Sequence, residues 1–454
     1  MRLFFDHGTV VLTAPRTVAL DALGALRWDS RIEAYRAPAH RYAQLRAELI
    51  AGGIRFDDSV LRTTVADAEF APVDLRPYQQ AAVATWGSER RGMLVLPTGS
   101  GKTRVACAAI AQCQVPALCL VPTRILLHQW VQQLSTCVGG PIGIVGDGQY
   151  QLERVTVVTF ESAYRLMSRI GQRFGLLVVD EAHHFGAGAR DEALEMCAAP
   201  WRLALTATAP KGDALARLSE LVGPIVYEVR IGDLAGSWLA DFDTIVLRLA
   251  LCGDERKRYA HASSLFRAEY ERFRRVSPHG TWAEFAALAA RTASGRSALA
   301  GFRASRRLTN YPVAKRQVVA ALLREHRSQR VLLFTADNAS AYAIARDELV
   351  MPITADIERS EREVALQAFR DGELRALVSA QVLNEGLDVP DADVAIIVGG
   401  TRGEREHVQR VGRLLRPRPG KRALVYELVI AGTHEVRKGF ERRRGLQIES
   451  RDRA

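Results

Sequence analysis

A chain of 454 residues is long enough for two to four domains, each with a core of its own. Its 62 Lys and Arg against 51 Asp and Glu leave a formal charge of +11, a balance that points to an anionic partner, nucleic acid first, and says nothing of the fold. The six cysteines include no Cys-x-x-Cys pair, which argues against a zinc ribbon or a redox dithiol. No apolar run approaches the ~20 residues of a membrane span, and Arg2, Asp6 and His7 occupy the start where a signal peptide needs apolar residues, so a cytoplasmic protein away from membranes is expected.

Residues 1–70 form the first expected unit, a small α+β domain. Leu3, Phe5, Val10 and Leu12 alternate as in a strand or hairpin, and the spacing over 40–50 predicts a helix with Tyr42, Leu45, Leu49 and Ile50 on one face. Across 71–240 the texture changes. Short β-rich runs at 93–96, 117–121, 155–160, 176–180 and 203–208 alternate with helical stretches. Runs that are apolar on both faces and separated by helices indicate a parallel sheet covered on both sides. A third unit, 241–316, is expected to be a helical insert, since 254–316 has no strand runs. That stretch holds 14 Lys and Arg against 5 Asp and Glu, most of the excess charge of the chain. The α/β texture returns over 317–454, with runs at 331–335, 376–380, 394–398 and 424–430 predicting a second parallel sheet, and a basic tail from 437.

The segment 94–103 reads LVLPTGSGKT, a buried strand entering a glycine-containing turn and then a helix near Lys102. Backbone N–H groups and the dipole at a helix N-terminus hold phosphates. In the loop Thr98-Gly99-Ser100-Gly101, the two glycines allow close main-chain approach, Lys102 reaches the β- and γ-phosphates, and Thr103 ligates Mg²⁺. The expected cofactors are therefore ATP and Mg²⁺. Leu96 stands where the strict phosphate-loop pattern has Gly. An Asp180-Glu181-Ala182-His183 run follows the apolar LLVV. A carboxylate at the end of a parallel strand lies beside the phosphate loop, so Asp180 is expected at Mg²⁺ and Glu181 as the base that activates the attacking water. Alone, such a pair is as readily a solvated turn; its place between strands, 78 residues after Lys102, favours catalysis.

Taken together, these residues and their order resemble a superfamily 2 helicase over roughly residues 75–420. The resemblance implies two RecA-like domains in tandem, flanked by the small N-terminal domain and the helical basic insert. Leu75-Arg76-Pro77-Tyr78-Gln79 resembles the motif in which Gln79 reads adenine. Thr123 and Arg124 fall in a motif that contacts nucleic-acid phosphates, as does Thr159. Thr206-Ala207-Thr208 resembles the motif that links hydrolysis to movement, and His183 is expected to serve the same coupling as an inter-domain contact. In the second domain, Gly386 and Asp388 resemble a nucleotide-facing motif. Gln409-Arg410-Val411-Gly412-Arg413 resembles another, with Arg413 and Arg416 as the implied arginine fingers. Such guanidiniums neutralise charge developing on a γ-phosphate held by the other domain.

Within the superfamily, Trp28-Asp29-Ser30-Arg31, Ala34–Ala39 and Tyr42 resemble the N-terminal region of the XPB branch. That implies a DNA-dependent ATPase, a 3′-to-5′ DNA helicase or translocase acting in repair or transcription, working as a monomer. Where the family has an Arg-Glu-Asp triplet, this chain has Lys211-Gly212-Asp213. The alternative is an ATP-gated DNA clamp that recruits a nuclease and unwinds little. In the insert, Arg256, Arg272, Arg274 and Arg275 are the candidate phosphate contacts. The interleaved Tyr259, Phe266, Tyr270, Phe273 and Phe302 read more readily as the core of the insert than as base-stacking platforms.

Overall fold

The computed structural model describes residues 1–62, 69–188, 190–234, 237–238, 241–380, 392–400 and 422–443. The chain divides into two compact units, Met1–Arg230 and Ile231–Ala454.

The first unit begins with a five-stranded sheet. Its strands are β1 (Arg2–Asp6), β2 (Thr9–Thr13), β3 (Arg27–Asp29), β4 (Ala34–Pro38) and β5 (Asp57–Ser59), in the order β3-β4-β2-β1-β5. Leu3, Val10 and Leu12 point to one side and meet Tyr42, Leu45 and Leu49 of the helix Tyr42–Ala51. Ile50, expected on that face, is instead exposed at the last turn of the helix. Its neighbour Leu49 fills the inward position, and one residue of advance turns a side chain about 100° round the axis.

This small domain packs on the α/β layers of the same unit. Ala198 belongs to its apolar core, and Arg62 N–H donates to Gln172 O at 2.9 Å. Arg41 pairs with Glu220, and buried His40 lies beside the same carboxylate, 3.8 Å away. Burial, with Arg202 and Arg41 nearby, pushes the His40 imidazole down to about 3.

A short antiparallel pair, β6 (Glu69–Phe70) and β9 (Val138–Gly139), flanks the large sheet. That sheet consists of β7 (Arg91–Val95), β8 (Ala117–Val121), β10 (Ile142–Gly146), β11 (Gln149–Gln151), β12 (Val155–Thr159), β13 (Leu176–Val179), β14 (Trp201–Thr206) and β15 (Ile225–Glu228). Its order is β11-β10-β12-β8-β13-β14-β7-β15, parallel except at the β10–β11 hairpin. Both faces are apolar, as the continuous runs require. Cys119, Val157, Val178 and Leu203 join one core, and their chain neighbours Leu120, Val158, Val179 and Ala204 join the other. Arg202 is fully buried on β14 and donates to the carbonyls of Ala199, Leu194, Leu221 and Cys197. Burial lowers its guanidinium to about 10.

The second unit carries a six-stranded, all-parallel sheet. Its strands are β16 (Asp241–Leu249), β17 (Val331–Thr335), β18 (Met351–Ile353), β19 (Ala376–Ala380), β20 (Val394–Ile397) and β21 (Arg422–Ile430), in the order β16-β21-β20-β17-β19-β18. β16 corrects the expectation of a helical 241–316. It pairs with β21 over its whole length, from Asp241↔Arg422 to Leu249↔Ile430. Its sequence, DFDTIVLRL, alternates with charged residues as an edge strand does, and this obscured it among the neighbouring helices.

The insert proper is three helices, Gly253–Val276, Trp282–Ala289 and Ala293–Asn310. The long pair approaches so closely that a Cβ on Gly301 would sit 2.5 Å from Ala262 O. Phe266, Tyr270, Phe273, Phe285 and Phe302 stack as one aromatic cluster around buried Phe285, with Trp282 at its exposed edge. The next helix, Val313–Glu325, packs on the sheet instead, through Val319 and Leu322.

Candidate nucleotide site and nucleic-acid surface

The phosphate loop lies at the carboxyl end of β7, the place where parallel α/β sheets present ligands. Gly99 (φ 84°) and Gly101 (φ 79°) both adopt left-handed backbone, which a residue with a Cβ avoids. Gly101 is the N-cap of the helix Lys102–Cys113, so the loop enters the helix with its first-turn amides unclaimed by helix carbonyls. Tyr78 Oη donates to Ser100 O at 2.6 Å and Gln79 Nε2 to the same oxygen at 2.7 Å, while Arg76 N–H donates to Gln79 Oε1 at 2.9 Å. Gln79 thus braces the loop from below, and Tyr78, which the sequence reading passed over, shares the task. A Cβ at Gly101 would meet Gln79 Nε2 at 2.6 Å. Thr98 Oγ1 is buried and has no hydrogen-bond partner among the described residues. An orphaned hydroxyl, a positive-φ glycine turn and a helix N-terminus carrying Lys102 fit a bound polyphosphate.

Asp180 follows β13 and is buried. Burial and, after it, the neighbouring Glu181 carboxylate raise its carboxyl, against the opposing pull of Lys102 and the Trp130 hydrogen bond, to about 6. Trp130 Nε1 donates to Asp180 Oδ2 at 3.0 Å, and Glu181 N–H donates to Oδ1 at 2.9 Å. Trp130 was not singled out in the sequence. Its only signal there was an apolar position on an amphipathic helix, which any core residue shares. Glu181 itself holds left-handed backbone, φ 46°, an uncommon conformation for a residue with a side chain.

His183 connects this pair to the next strand. Its Nδ1 lies 3.3 Å from Glu181 Oε2 and 3.2 Å from Thr206 Oγ1. Thr206 Oγ1 donates to Thr208 O at 2.9 Å. That leaves Nδ1–H as the donor toward Thr206. The three residues expected to couple hydrolysis to movement are therefore in direct contact. Thr103 sits half-buried in the first turn of the Lys102 helix. Gly386, Asp388, Gln409, Arg413 and Arg416 lie outside the described residues.

Thr123 caps the helix Arg124–Leu134, accepting from Leu126 N–H at 3.3 Å. Arg124 is exposed and 3.3 Å from Asp147, which also meets His128 at 2.9 Å. Thr159 is buried and caps the helix Phe160–Ile170, so its side chain is committed to the fold. On the insert, Arg256, Arg272, Arg274 and Arg275 are all exposed. Arg272 is 3.1 Å from Glu269, and Arg274 donates to Gly280 O at 3.3 Å. Among the described residues no group of acidic, His and Cys side chains forms a metal cage, and no helix is long and apolar enough to cross a membrane.

A phosphate loop, a carboxylate pair at the end of β13 and a second parallel sheet define a two-domain P-loop ATPase of the superfamily 2 helicase class. Solved structures share the architecture. The Hef helicase domain of Pyrococcus furiosus superposes with a TM-score of 0.55 at 17% identity, covering 81% of this chain and 98% of that one. S. cerevisiae Dbp5 bound to RNA and ADP BeF3 gives 0.56 at 15%, covering 83% and 89%.

Three family profiles match in order. They are the Xeroderma pigmentosum group B helicase damage recognition domain at 3–60, the type III restriction enzyme res subunit at 72–211, and the helicase conserved C-terminal domain at 314–418. The DNA 3'-5' translocase XPB2 of Sulfurisphaera tokodaii is 34% identical over 420 residues, 92% of this chain and 95% of that protein. The DNA 3'-5' helicase XPB of Mycobacterium tuberculosis is 29% identical over 392 residues, 82% of this chain and 63% of the other. The chain belongs to the XPB family of helicases.

Proposed function

We infer that this protein is an ATP-dependent motor that moves on or opens DNA in the 3′-to-5′ direction, in repair or transcription. The observation that carries this reading is the contact chain from Glu181 through His183 to Thr206 and Thr208, beside a loop built for polyphosphate. Bound Mg²⁺–ATP supplies the phosphoanhydride whose cleavage releases the free energy. Lys102 and the amides following Gly101 would hold the phosphates, and Thr103 and Asp180 would hold the cation. Glu181 accepts the proton of the attacking water. His183 reports the state of Glu181 to the Thr206–Thr208 strand end. Arg413 and Arg416 are the proposed arginine fingers, the role their resemblance to the family motif implies, and such fingers make turnover depend on domain closure. Arg124 and the insert arginines hold the DNA backbone without reading sequence.

The working unit proposed is a monomer in the cytoplasm, at the nucleoid. Lys211-Gly212-Asp213, exposed at the start of the helix Asp213–Val222, favours a second reading: an ATP-gated DNA clamp that recruits a nuclease.

ATP hydrolysis should rise on adding single-stranded or duplex DNA, and Lys102→Ala should abolish turnover while DNA binding persists. A wild-type chain with the same turnover with and without DNA, unchanged by Lys102→Ala, would rule the motor out. Strand-displacement activity on a 3′-tailed duplex separates the motor from the clamp.

A further inference from the structure

Lys315 is fully buried, a costly place for an ammonium unless every proton is met. Its partners among the described residues are at junctions. Its Nζ donates to Thr309 O at 2.7 Å, to Val398 O at 2.6 Å and to both oxygens of Glu435, at 2.9 and 3.0 Å. Thr309 is in the last turn of Ala293–Asn310, the helix that ends the basic insert. Val398 follows β20, at the carboxyl edge of the second sheet, and the chain runs on from it toward Gln409–Arg416. Glu435 opens the helix His434–Arg443 and also accepts from Ile430 N–H at 2.9 Å.

The neighbours of this lysine strengthen the junction. Asn310 Nδ2 donates to Asp337 Oδ2 at 2.5 Å, beyond the end of β17, while Val398 N–H donates to Phe334 O at 2.9 Å. Tyr259 Oη, on the first insert helix, accepts from His434 N–H at 3.3 Å. Both long helices of the insert are therefore hydrogen-bonded to the sheet's carboxyl edge or to the helix bearing Glu435. An apolar side chain at 315 would seal the same space without fixing any of these three backbone segments to one another.

We propose that Lys315 is a positioning residue that ties the end of the basic insert to the strand end leading into the arginine-finger segment, so that DNA held by the insert raises the rate of ATP hydrolysis. The inference rests on the motor reading above and names a coupling element for it. Displacement of the insert helix moves Thr309 O. The ammonium, held equally by Val398 O and Glu435, passes that displacement to the sheet edge, because a desolvated cation cannot release one partner without loss.

The test separates coupling from packing. Lys315→Met and Glu435→Leu are combined, so that neither charge is left unpaired, a replacement that buried ion pairs commonly tolerate. Melting temperature, DNA affinity by anisotropy and steady-state ATPase are measured in the full chain. The expected result is a folded protein that binds DNA like wild type, whose stimulation at saturating DNA falls by at least about fivefold, the low end of site-to-site coupling. The loss should be in kcat, with the DNA concentration at half-stimulation unmoved. Stimulation within about twofold of wild type in a folded double variant overturns the proposal.

Should the variant not fold, hydrogen exchange on the wild-type chain decides. DNA added without nucleotide should slow exchange at Val398 and Gly399, and unchanged exchange there overturns it. A wild-type chain that DNA fails to stimulate is a different result, which removes the motor reading itself.

Discussion

At the scale of single residues, the nucleotide site is held by side chains that never need to touch the nucleotide. Asp180 sits in apolar surroundings and keeps its geometry through Trp130 on one oxygen and the Glu181 amide on the other. Trp130→Phe preserves an aromatic ring and deletes one donor to a carboxylate. Hydrogen bonds to charged groups contribute about 1.5–3 kcal/mol, so kcat/KM for ATP should fall by about tenfold or more with the melting temperature little changed. Steady-state kinetics with a parallel melt check this, and wild-type kinetics would show that the indole only fills space. The candidate catalytic residues stood out in the sequence, because Gly99-Ser100-Gly101-Lys102-Thr103 and Asp180-Glu181 are local patterns. Trp130 and Tyr78 were not, because their roles depend on partners 50 and 22 residues away.

At the scale of elements, continuous apolar runs announced the inner strands of both sheets except the glycine-bearing β10, since a strand buried on two faces has nowhere to place a polar residue. Edge strands escaped for the converse reason. β16 has charged residues at Asp241, Asp243 and Arg248, and β11 is exposed at all three positions. In the insert, Phe266, Tyr270, Phe273 and Phe302, which could be taken for base-stacking platforms, cluster with buried Phe285, while Tyr259 accepts from His434 N–H instead and Arg256, Arg272, Arg274 and Arg275 stay exposed. Replacing Arg272, Arg274 and Arg275 together with Ala should weaken binding to all DNA sequences alike. It should also reduce the slope of log K against log salt by about 2, since each neutralised phosphate adds roughly 0.7–0.9 to that slope. A salt titration by anisotropy measures the slope, and an unaltered slope would place the DNA elsewhere.

At the scale of the whole molecule, the small N-terminal domain is joined to the first motor domain by a shared apolar core and by charges around Glu220. His40 lies at that seam, buried and neutral, with neither ring nitrogen hydrogen-bonded among the described residues. Unfolded, it takes a proton near pH 6.5; folded, only near pH 3. Between those values the unfolded chain holds more protons, so stability declines as the pH falls through that window. From pH 7 to pH 5 the loss should be on the order of 1–2 kcal/mol, and His40→Leu should abolish it. Urea melts at both pH values compare the two proteins, and an equal acid loss in each would refute the assignment. The seam was invisible in the sequence, where His40 and Glu220 are 180 positions apart.

The insert, by contrast, is closed on itself. Glu255 in its first turn accepts from Val313 N–H at 3.0 Å, immediately after its last helix, so the chain leaves and re-enters the second domain at nearly one point. An insert whose two ends meet at one carboxylate can be lengthened or trimmed between them without rethreading a strand. Changes in the length or charge of the insert would thus leave the order of the strands beneath it as it is.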